Sequence, residues 1–221
     1  MSGILLAGAS GFIGEKLIRL LEQAPSRPKL MSVGRRPLSF LKPKSRVQEH
    51  IANFNSLEGW MTTWQAETAV CCLGTTIKTA GSQAAFRAVD YDAVIAFARL
   101  AKRIGVQHFI VVSAVGAATG SASFYSRVKG EMEAALAAMD FAALSIVQPS
   151  LLLGARAEQR LGERIGQVVS MPLAPLLMGP LSPYRPIHGD HVAKAIATLA
   201  LGPVPKYGVE RLHYKELMAL N

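Results

Sequence analysis

The chain has few cysteines and no long apolar run, and each absence excludes a class of protein. Its two cysteines, Cys71 and Cys72, are adjacent, and neighbouring side chains on a strand point to opposite faces. We therefore expect no structural disulfide, a reducing compartment and a cytoplasmic location. No hydrophobic run reaches transmembrane length without glycine, proline or charge, and no basic leader precedes the apolar start. Neither a membrane span nor a signal peptide is expected.

Acidic residues are outnumbered by basic ones, a balance that can indicate a nucleic-acid partner. The net charge is +9, from 24 lysines and arginines against 15 aspartates and glutamates. The basic residues are dispersed, however, and no aromatic-plus-basic RNA-binding motif is present. Two local clusters of basic residues are present, and without further context each is interpreted as a solvated face. One contains Arg35, Arg36, Lys42, Lys44 and Arg46; the other contains Arg156, Arg160 and Arg164. Nucleic acid is therefore not an expected partner.

Short apolar runs alternate with amphipathic segments along the chain. The expected strands are Ile4–Ala7, Leu30–Val33, Val47–Ile51, Ala69–Leu73, Phe109–Ser113, Leu144–Gln148 and Val209–His213. The expected helices are Phe12–Glu22, a short one near Leu57–Gln65, Ala93–Ile104, Tyr125–Met139 and His191–Leu201, the last capped by Asp190. This alternation predicts a single α/β domain over residues 1–221, built as a doubly wound, Rossmann-like, mostly parallel sheet.

The regular pattern weakens after Pro149. Residues 168–186 contain five prolines and no clear period. We expect residues 151–190 to contribute a small C-terminal cap region on the substrate side. Within it, Met171–Pro186 either covers the pocket or forms a surface for a protein partner.

A glycine-rich turn follows the first expected strand. Gly8, Gly11 and Gly14 are spaced three apart and lead directly into an amphipathic segment. Glycine allows positive φ and close approach of a ligand, and a helix start offers free N–H groups to an anion. The segment predicts a site for a dinucleotide pyrophosphate, with Ser10, Phe12 and Ile13 as further contacts. The first gap is one residue wider than the usual fingerprint, so a tight turn without a ligand is the alternative.

The end of the second expected strand indicates which dinucleotide is bound. In a dinucleotide fold this point lies about 20 residues past the glycine turn and meets the adenosine ribose. An acidic residue there would bind the 2′-hydroxyl of NAD, but the sequence has Arg35 and Arg36 instead. Arginines supply charge and forked donors to a 2′-phosphate. We therefore expect a preference for NADP(H), with NAD(H) still an option and two surface arginines as the alternative.

The fourth expected strand leads into Leu73, Gly74 and Thr75. Ligands of such sheets bind at the carboxyl ends of the strands, and Gly74 would let the backbone lie against the adenosine side of the cofactor. An ordinary strand-end turn is the alternative. Cys72 is not expected to be a nucleophile, because no histidine lies near it in sequence and buried cysteines are usually inert.

A hydroxyl, a phenol and an amine follow at the end of the fifth expected strand and at the start of the next expected helix. Ser113 ends the fifth expected strand, and Tyr125 and Lys129 open the next helix four residues apart, so they share a face. Their position after a glycine-rich nucleotide turn favours a catalytic group over a surface Tyr and Lys. His188 and His191, by contrast, have no further ligands clustered near them, so we expect a capped helix start there and no metal site.

These features resemble the short-chain dehydrogenase/reductases, and more narrowly the atypical branch of the Tat-interacting-protein-like oxidoreductases and their bacterial relatives. The broad resemblance rests on Gly8-x-x-Gly11-x-x-Gly14, Ser113 and Tyr125-x-x-x-Lys129. The narrower one covers most of residues 3–155 and rests on residues 71–76 (Cys-Cys-Leu-Gly-Thr-Thr), 86–92 (Phe-Arg-Ala-Val-Asp-Tyr-Asp), 108–109 (His-Phe) and 125–133.

The resemblance implies an NADP(H)-dependent oxidoreductase that transfers hydride to or from a small carbonyl or alcohol substrate. Tyr125 would be the general acid, Lys129 would hold the nicotinamide ribose and lower the tyrosine pKa, and Ser113 would orient the carbonyl. Further cofactor contacts implied by the family pattern are Asn53 beside the adenine and Pro149, Ser150 and Leu151 beside the nicotinamide. For Asn53 the alternative is a turn-forming residue, a common role of asparagine in loops.

One position departs from the superfamily pattern. An asparagine that often completes the site is absent, and the segment reads Asp90-Tyr91-Asp92. Asp90 is equally well interpreted as a helix cap. This departure and the small cap leave a second function open, a regulatory or redox-sensing protein that binds NADP(H) and a protein partner without turnover.

Overall fold

The computed structural model describes residues 3–60, 63–154, 179–206 and 208–221. Its strands are β1 Gly3–Ala7, β2 Lys29–Gly34, β3 Val47–Ile51, β4 Thr68–Cys71, β5 His108–Val112, β6 Ala143–Val147, β7 Leu152–Leu153, β8 Ile187–His188 and β9 Gly208–Leu212. Its α-helices are α1 Phe12–Gln23, α2 Ile77–Ala80, α3 Gln83–Arg87, α4 Ala93–Arg103, α5 Phe124–Ala137, α6 Gly189–Leu201 and α7 Tyr214–Ala219. Two 3-10 helices, Phe54–Gly59 and Gly179–Tyr184, and a π-helical turn, Ala88–Asp92, complete the described elements.

Seven strands form one parallel sheet in the order β3-β2-β1-β4-β5-β6-β9. The chain moves outward from β1 to β3 and then returns to the other side of β1 with β4. This reversal is the topological switch point at which α/β sheets bind ligands beyond the carboxyl ends of their strands. The predicted Rossmann-like fold is thereby confirmed.

The two faces of the sheet carry separate cores, because neighbouring side chains of a strand alternate. Leu5 and Phe109 pack with Phe97 and the other apolar side chains of α4 and α5. Ile4 and Ile110 face the opposite side, where α1 and α6 supply the cover. The predicted strands match the observed ones to within two residues at each end.

Two helical predictions are wrong. Instead of a helix near Leu57–Gln65, a 3-10 helix occupies Phe54–Gly59, because the Asn53 side chain caps it by accepting from the backbone N–H of Asn55 at 3.1 Å. Asp90 does not cap a helix either. It lies in the π-helical turn that joins α3 to α4, so helical backbone continues from Gln83 to Arg103.

The C-terminal region begins with a short ladder. β7 pairs in parallel with β8, with Leu152 opposite Ile187 and Leu153 opposite His188. α6 starts two residues before its predicted start, with His188 at the N-cap position, and Asp190 lies inside the first turn. Residues 155–178, which include Arg156, Arg160 and Arg164 and part of the predicted cap, lie outside the described residues. In the described ranges, every helix is too short or too polar to cross a bilayer.

Candidate functional site

The glycine turn has the tight geometry that its spacing predicts. Gly8 has φ 78°, and a Cβ atom there or at Gly14 would lie within 3.0 Å of backbone atoms. The Gly11 N–H donates to the Gly8 carbonyl at 2.9 Å. Gly11 is the N-cap of α1 and offers no side chain to cap it. The first N–H groups of α1 are therefore available to an anion beside the exposed Ser10.

The two apolar residues of the motif anchor the start of α1. Ile13 is buried in the core beneath the sheet edge. The Phe12 ring lies against the backbone of Gly154 and Gly189, where a Cβ atom at either glycine would come within 3.0 Å of the ring. The Lys16 ammonium lies 5.2 Å from the centre of the same ring. Phe12 thus joins the nucleotide turn to the segments on either side of residues 155–178.

A pocket lies between the glycine turn and the carboxyl end of β2. Its lining includes Ser10, Arg35, Arg36 and Leu73, with Phe54 at the side. Both arginines are exposed, and neither forms an ion pair with the described residues. No acidic side chain from the described part of the chain lines this pocket.

The loop after β4 lies directly over two buried charges. A Cβ atom on Gly74 would lie 3.4 Å from Asp90 Oδ1 and 3.8 Å from Lys129 Nζ. The Thr75 N–H donates to Asp90 Oδ2 at 2.9 Å. Burial raises the pKa of Cys71 to about 12 and raises that of Cys72 as well. Both thiols are therefore protonated near neutral pH, which agrees with the expectation that Cys72 is not a nucleophile.

Asp90 and Lys129 form a buried ion pair that the sequence analysis did not predict. Asp90 Oδ1 lies 2.8 Å from Lys129 Nζ, and their side chains are 1% and 4% exposed. Asp90 falls four residues after the buried Phe86 and four before the buried Val94. A charged residue on that apolar helix face was the available signal, because aspartate is rarely buried without a partner.

Tyr125 lies at the start of α5, one helical turn before Lys129. Its ring packs against Phe86 at 5.5 Å between centres, and the side chain remains partly exposed. Burial raises the pKa of Tyr125; Lys129 acts to lower it, and Asp90 opposes Lys129. Lys129 thus acts on the tyrosine pKa in the expected direction, but burial outweighs it, so the pKa of Tyr125 lies above its ordinary value.

Ser113 is placed differently from Tyr125 and Lys129. Its buried hydroxyl donates to Glu133 Oε1 at 2.5 Å. Glu133 lies one helical turn beyond Lys129 on α5. The same carboxylate accepts from Gln148 Nε2 at 2.7 Å and from Arg211 Nε at 3.2 Å. The structure therefore brings Tyr125 and Lys129 together but binds the Ser113 hydroxyl to a neighbouring network.

The remaining predicted contacts lie at the same edge of the sheet. The Pro149 carbonyl accepts from the Val115 N–H at 3.0 Å, which joins the loops after β5 and β6. The Ser150 hydroxyl donates to the Arg185 carbonyl, and the Leu151 carbonyl accepts from the Ile187 N–H. Asn53 uses its side-chain oxygen as a helix cap.

No cluster of three or more metal-binding side chains occurs among the residues with a described structure. His188 and His191 lie with ring centres 6.4 Å apart, and His191 Nδ1 is 2.9 Å from the Asn221 side-chain oxygen.

Sequence comparison finds named relatives in animals and fungi. The chain is 36% identical to the HTATIP2 protein of Rattus norvegicus over 162 residues, which are 72% of this chain and 66% of the rat protein. It is 32% identical to the mitochondrial FMP52 protein of Eremothecium gossypii over 209 residues, 89% and 88% of the two chains. The FMP52 protein of Coccidioides immitis is 30% identical over 76% of this chain and 73% of its own length.

Solved structures share the fold at lower identity. MoeE5 in complex with UDP-glucose and NAD has a TM-score of 0.69 and 19% identity, covering 96% of this chain and 76% of MoeE5. The UDP-Glc/GlcNAc 4-epimerase of Campylobacter jejuni has a TM-score of 0.68 and 15% identity, covering 99% and 82%. No protein-family model matches the chain.

The comparisons correct one expectation and establish the family. The FMP52 relatives are mitochondrial proteins, so the expected cytoplasmic location is wrong. That expectation rested on two cysteines that cannot pair, and unpaired cysteines do not identify a compartment. From the glycine turn, the Tyr125/Lys129 pair and these relatives, the chain belongs to the HTATIP2 and FMP52 family, an atypical branch of the short-chain dehydrogenase/reductases.

Proposed function

We propose that this protein is an NADP(H)-dependent oxidoreductase that transfers hydride to or from a small carbonyl or alcohol substrate. The observation that carries the proposal is Tyr125 beside a buried Lys129, at the carboxyl edge of the sheet that also holds the glycine turn. A nicotinamide dinucleotide fits this edge. The glycines leave room for backbone approach, and the uncapped start of α1 offers donors to a pyrophosphate. The NAD named with MoeE5 supports the same class of cofactor.

The preference for NADP(H) rests on the pocket at the end of β2. Arg35 and Arg36 are exposed there and form no ion pair with the described residues, and no described acidic side chain lines the pocket to accept from a ribose 2′-hydroxyl. A 2′-phosphate would satisfy both arginines with charge-assisted hydrogen bonds. The two arginines are thus the residues proposed to distinguish NADP(H) from NAD(H).

In the proposed reaction the cofactor supplies or accepts the hydride, and the chain supplies the proton and the placement. The Tyr125 hydroxyl donates its proton to the carbonyl oxygen during reduction. Burial favours the protonated phenol at neutral pH, which suits a general acid. The Lys129 ammonium is paired with Asp90 at 2.8 Å, and its proposed role is to hold the nicotinamide ribose.

The role of Ser113 in this reaction is a separate proposal. To orient a substrate carbonyl, its hydroxyl would have to leave Glu133, to which it donates. Gln148 and Arg211 would then still satisfy that carboxylate. Substrate binding is therefore proposed to exchange one hydrogen bond of Ser113 for another.

The test is a screen of small carbonyl compounds that follows NADPH absorbance. A general acid contributes about 100-fold or more to the rate, so Tyr125→Phe is expected to reduce kcat by at least that factor. Tyr214→Phe is the matched control, because that phenol ring stacks on Arg185 away from the pair. Turnover that survives Tyr125→Phe unchanged would show that Tyr125 is not the acid.

A second candidate is a regulator that binds NADP(H) without turnover. The Ser113 hydroxyl favours this regulatory function, because it donates its hydrogen bond to Glu133 and not to a substrate site. Tight NADPH binding, no product across the screen and a protein partner whose affinity changes with the cofactor would support this candidate over the enzyme.

A further inference from the structure

The side chain of Asp90 is shielded from solvent. The residue is fully buried in the π-helical turn, and its two carboxylate oxygens have separate partners. Oδ2 accepts from the Thr75 N–H at 2.9 Å, and Oδ1 lies 2.8 Å from Lys129 Nζ. The carboxylate therefore joins the loop after β4 to the helix that carries Tyr125.

The π-helical turn is what places the carboxylate there. One extra residue in a helical turn rotates the residues before it relative to those after it. Phe86, on α3, contacts the Tyr125 ring, and Asp90 follows one turn later beside Lys129. Helix α3 thus contributes the Phe86 ring, and helix α5 contributes the Lys129 charge, to the same site.

Gly74 covers this ion pair at the carboxyl edge of the sheet. It is exposed, and a Cβ atom on it would lie 3.4 Å from Asp90 Oδ1 and 3.8 Å from Lys129 Nζ. The pair therefore lies directly behind the backbone of the loop at which the proposed cofactor binds.

We propose that Asp90 is a positioning residue of this site, which holds the Lys129 ammonium one helical turn after Tyr125 and offsets the positive charge that Lys129 would otherwise present to the phenol. The consequence is that Lys129 lowers the pKa of Tyr125 less than an unpaired ammonium would. This assignment deepens the proposed oxidoreductase function and rests on it for the role of Tyr125.

Few groups act on the phenol. Among the described residues, Lys129 on the same helix and Asp90 on the π-helical turn are the charged groups that shift the pKa of Tyr125. Cys71 on β4 interacts with Lys129 and with Asp90, and burial keeps it protonated. Removing the Asp90 charge thus leaves Lys129 as the one described charge that acts on Tyr125.

The experiment is a pH titration of Tyr125 in the chain without cofactor, followed by NMR of protein labelled with 13C at tyrosine Cζ. The chain has five tyrosines, and Tyr125→Phe identifies the signal. Asp90→Asn preserves the shape of the side chain and removes its charge. The pKa of Tyr125 is expected to fall by about one unit or more, because an uncompensated cation within reach favours the tyrosinate.

Asp92→Asn is the matched control. Asp92 lies on the same turn, but its side chain is exposed, so the pKa of Tyr125 should stay at the parent value. An unchanged Tyr125 pKa in folded Asp90→Asn would overturn the assignment.

A double variant keeps the test decisive if Asp90→Asn does not fold. Asp90→Asn with Lys129→Gln removes both charges and leaves neither one unpaired in the interior. Its Tyr125 pKa should lie close to that of the parent, because the two charges offset each other there. A shift of about one unit in either direction would overturn the proposal. Neither titration needs cofactor or substrate, so their outcome is independent of whether turnover is found.

Discussion

Arg35 and Arg36 carry the cofactor preference at the scale of single residues. Charge-assisted hydrogen bonds are worth roughly 1.5–3 kcal/mol each, so Arg35→Ala or Arg36→Ala should weaken NADPH binding about 10-fold to 100-fold. NADH binding should change little, because it lacks the 2′-phosphate. Calorimetric titration of both cofactors measures the difference.

Lys42→Ala provides the comparison for this titration. Lys42 belongs to the same basic cluster and is exposed, but it does not line the pocket. If NADPH binding weakens equally in all three variants, the effect comes from general electrostatic attraction between the basic cluster and the cofactor. Equal affinity of the parent protein for NADPH and NADH would contradict the phosphate interpretation.

The residues that the sequence could identify are those whose chemistry depends on local spacing. Tyr125 and Lys129 share a helix face because they are four apart, and no long-range information is needed to place them. Ser113 and Asp90 have partners 20 and 39 positions away, on α5. Their hydrogen bonds and ion pairs depend on how α5 packs, which a single sequence does not reveal.

Helix α5 depends on one glycine for its contact with the loop that precedes it. A Cβ atom at Gly130 would come within 3.0 Å of backbone atoms of Ala118 and Thr119. Gly130→Ala gains helix propensity but forces that loop away from α5, so we expect a net loss of about 2 kcal/mol of unfolding free energy. Urea denaturation of the folded variant measures it.

Gly120→Ala tests whether the effect comes from that contact. Gly120 is in the same loop, a Cβ atom on it would have no neighbour within 4 Å, and its φ is not in the left-handed region. The free energy of unfolding of this variant should be close to that of the parent protein. If Gly130→Ala is as stable as Gly120→Ala, the loop is not held by close approach to the helix.

Elements built from strong local patterns were predictable, and those that depend on neighbours were not. The strands of the sheet follow from short apolar runs, which is why their bounds agree. The segment from Gln83 to Asp92 was not predicted as helical, because charged residues lie among its few apolar ones and a π-helical turn interrupts it. Its Phe86 ring packs against Phe124 and Tyr125 of α5, a contact that the local pattern does not reveal.

The stability of the whole molecule is expected to depend on pH through a buried histidine at the start of β5. His108 is fully buried; Ser145 Oγ lies 2.8 Å from its Nε2 and donates to Glu210 at 2.6 Å. Burial lowers the pKa of His108 to about 4. Between pH 6.5 and 4 the unfolded chain binds a proton that the folded chain does not. Stability should therefore fall across that window as pH decreases, by up to about 3 kcal/mol.

His108→Gln isolates this contribution, because its amide can still donate to Ser145 but does not titrate. The variant should lose less stability than the parent between pH 6.5 and 4, as measured by urea unfolding at each pH. His188→Gln, at an exposed position, should keep the parent dependence. Identical pH dependence in His108→Gln and the parent would assign the effect to other groups.

At the scale of the molecule, the sequence predicted the fold and, with it, the topological switch point at which α/β sheets bind ligands. The glycine turn and the regular strand–helix alternation determine both, because few topologies suit a parallel sheet. Compartment was not predictable in the same way, since cysteine content carries little information about location. The predicted cap falls mainly on residues 155–178, and its substrate contacts remain predictions.

The Phe12 ring has an evolutionary consequence. Among the described residues, the three atoms nearest to a Cβ at Gly189 all belong to the Phe12 ring, whereas Gly154 is constrained by the ring and also by its φ of 135°. A relative with a smaller residue at position 12 would therefore tolerate alanine at position 189 but would keep glycine at 154. Positions 12 and 189, which are far apart along the chain, should covary among homologues.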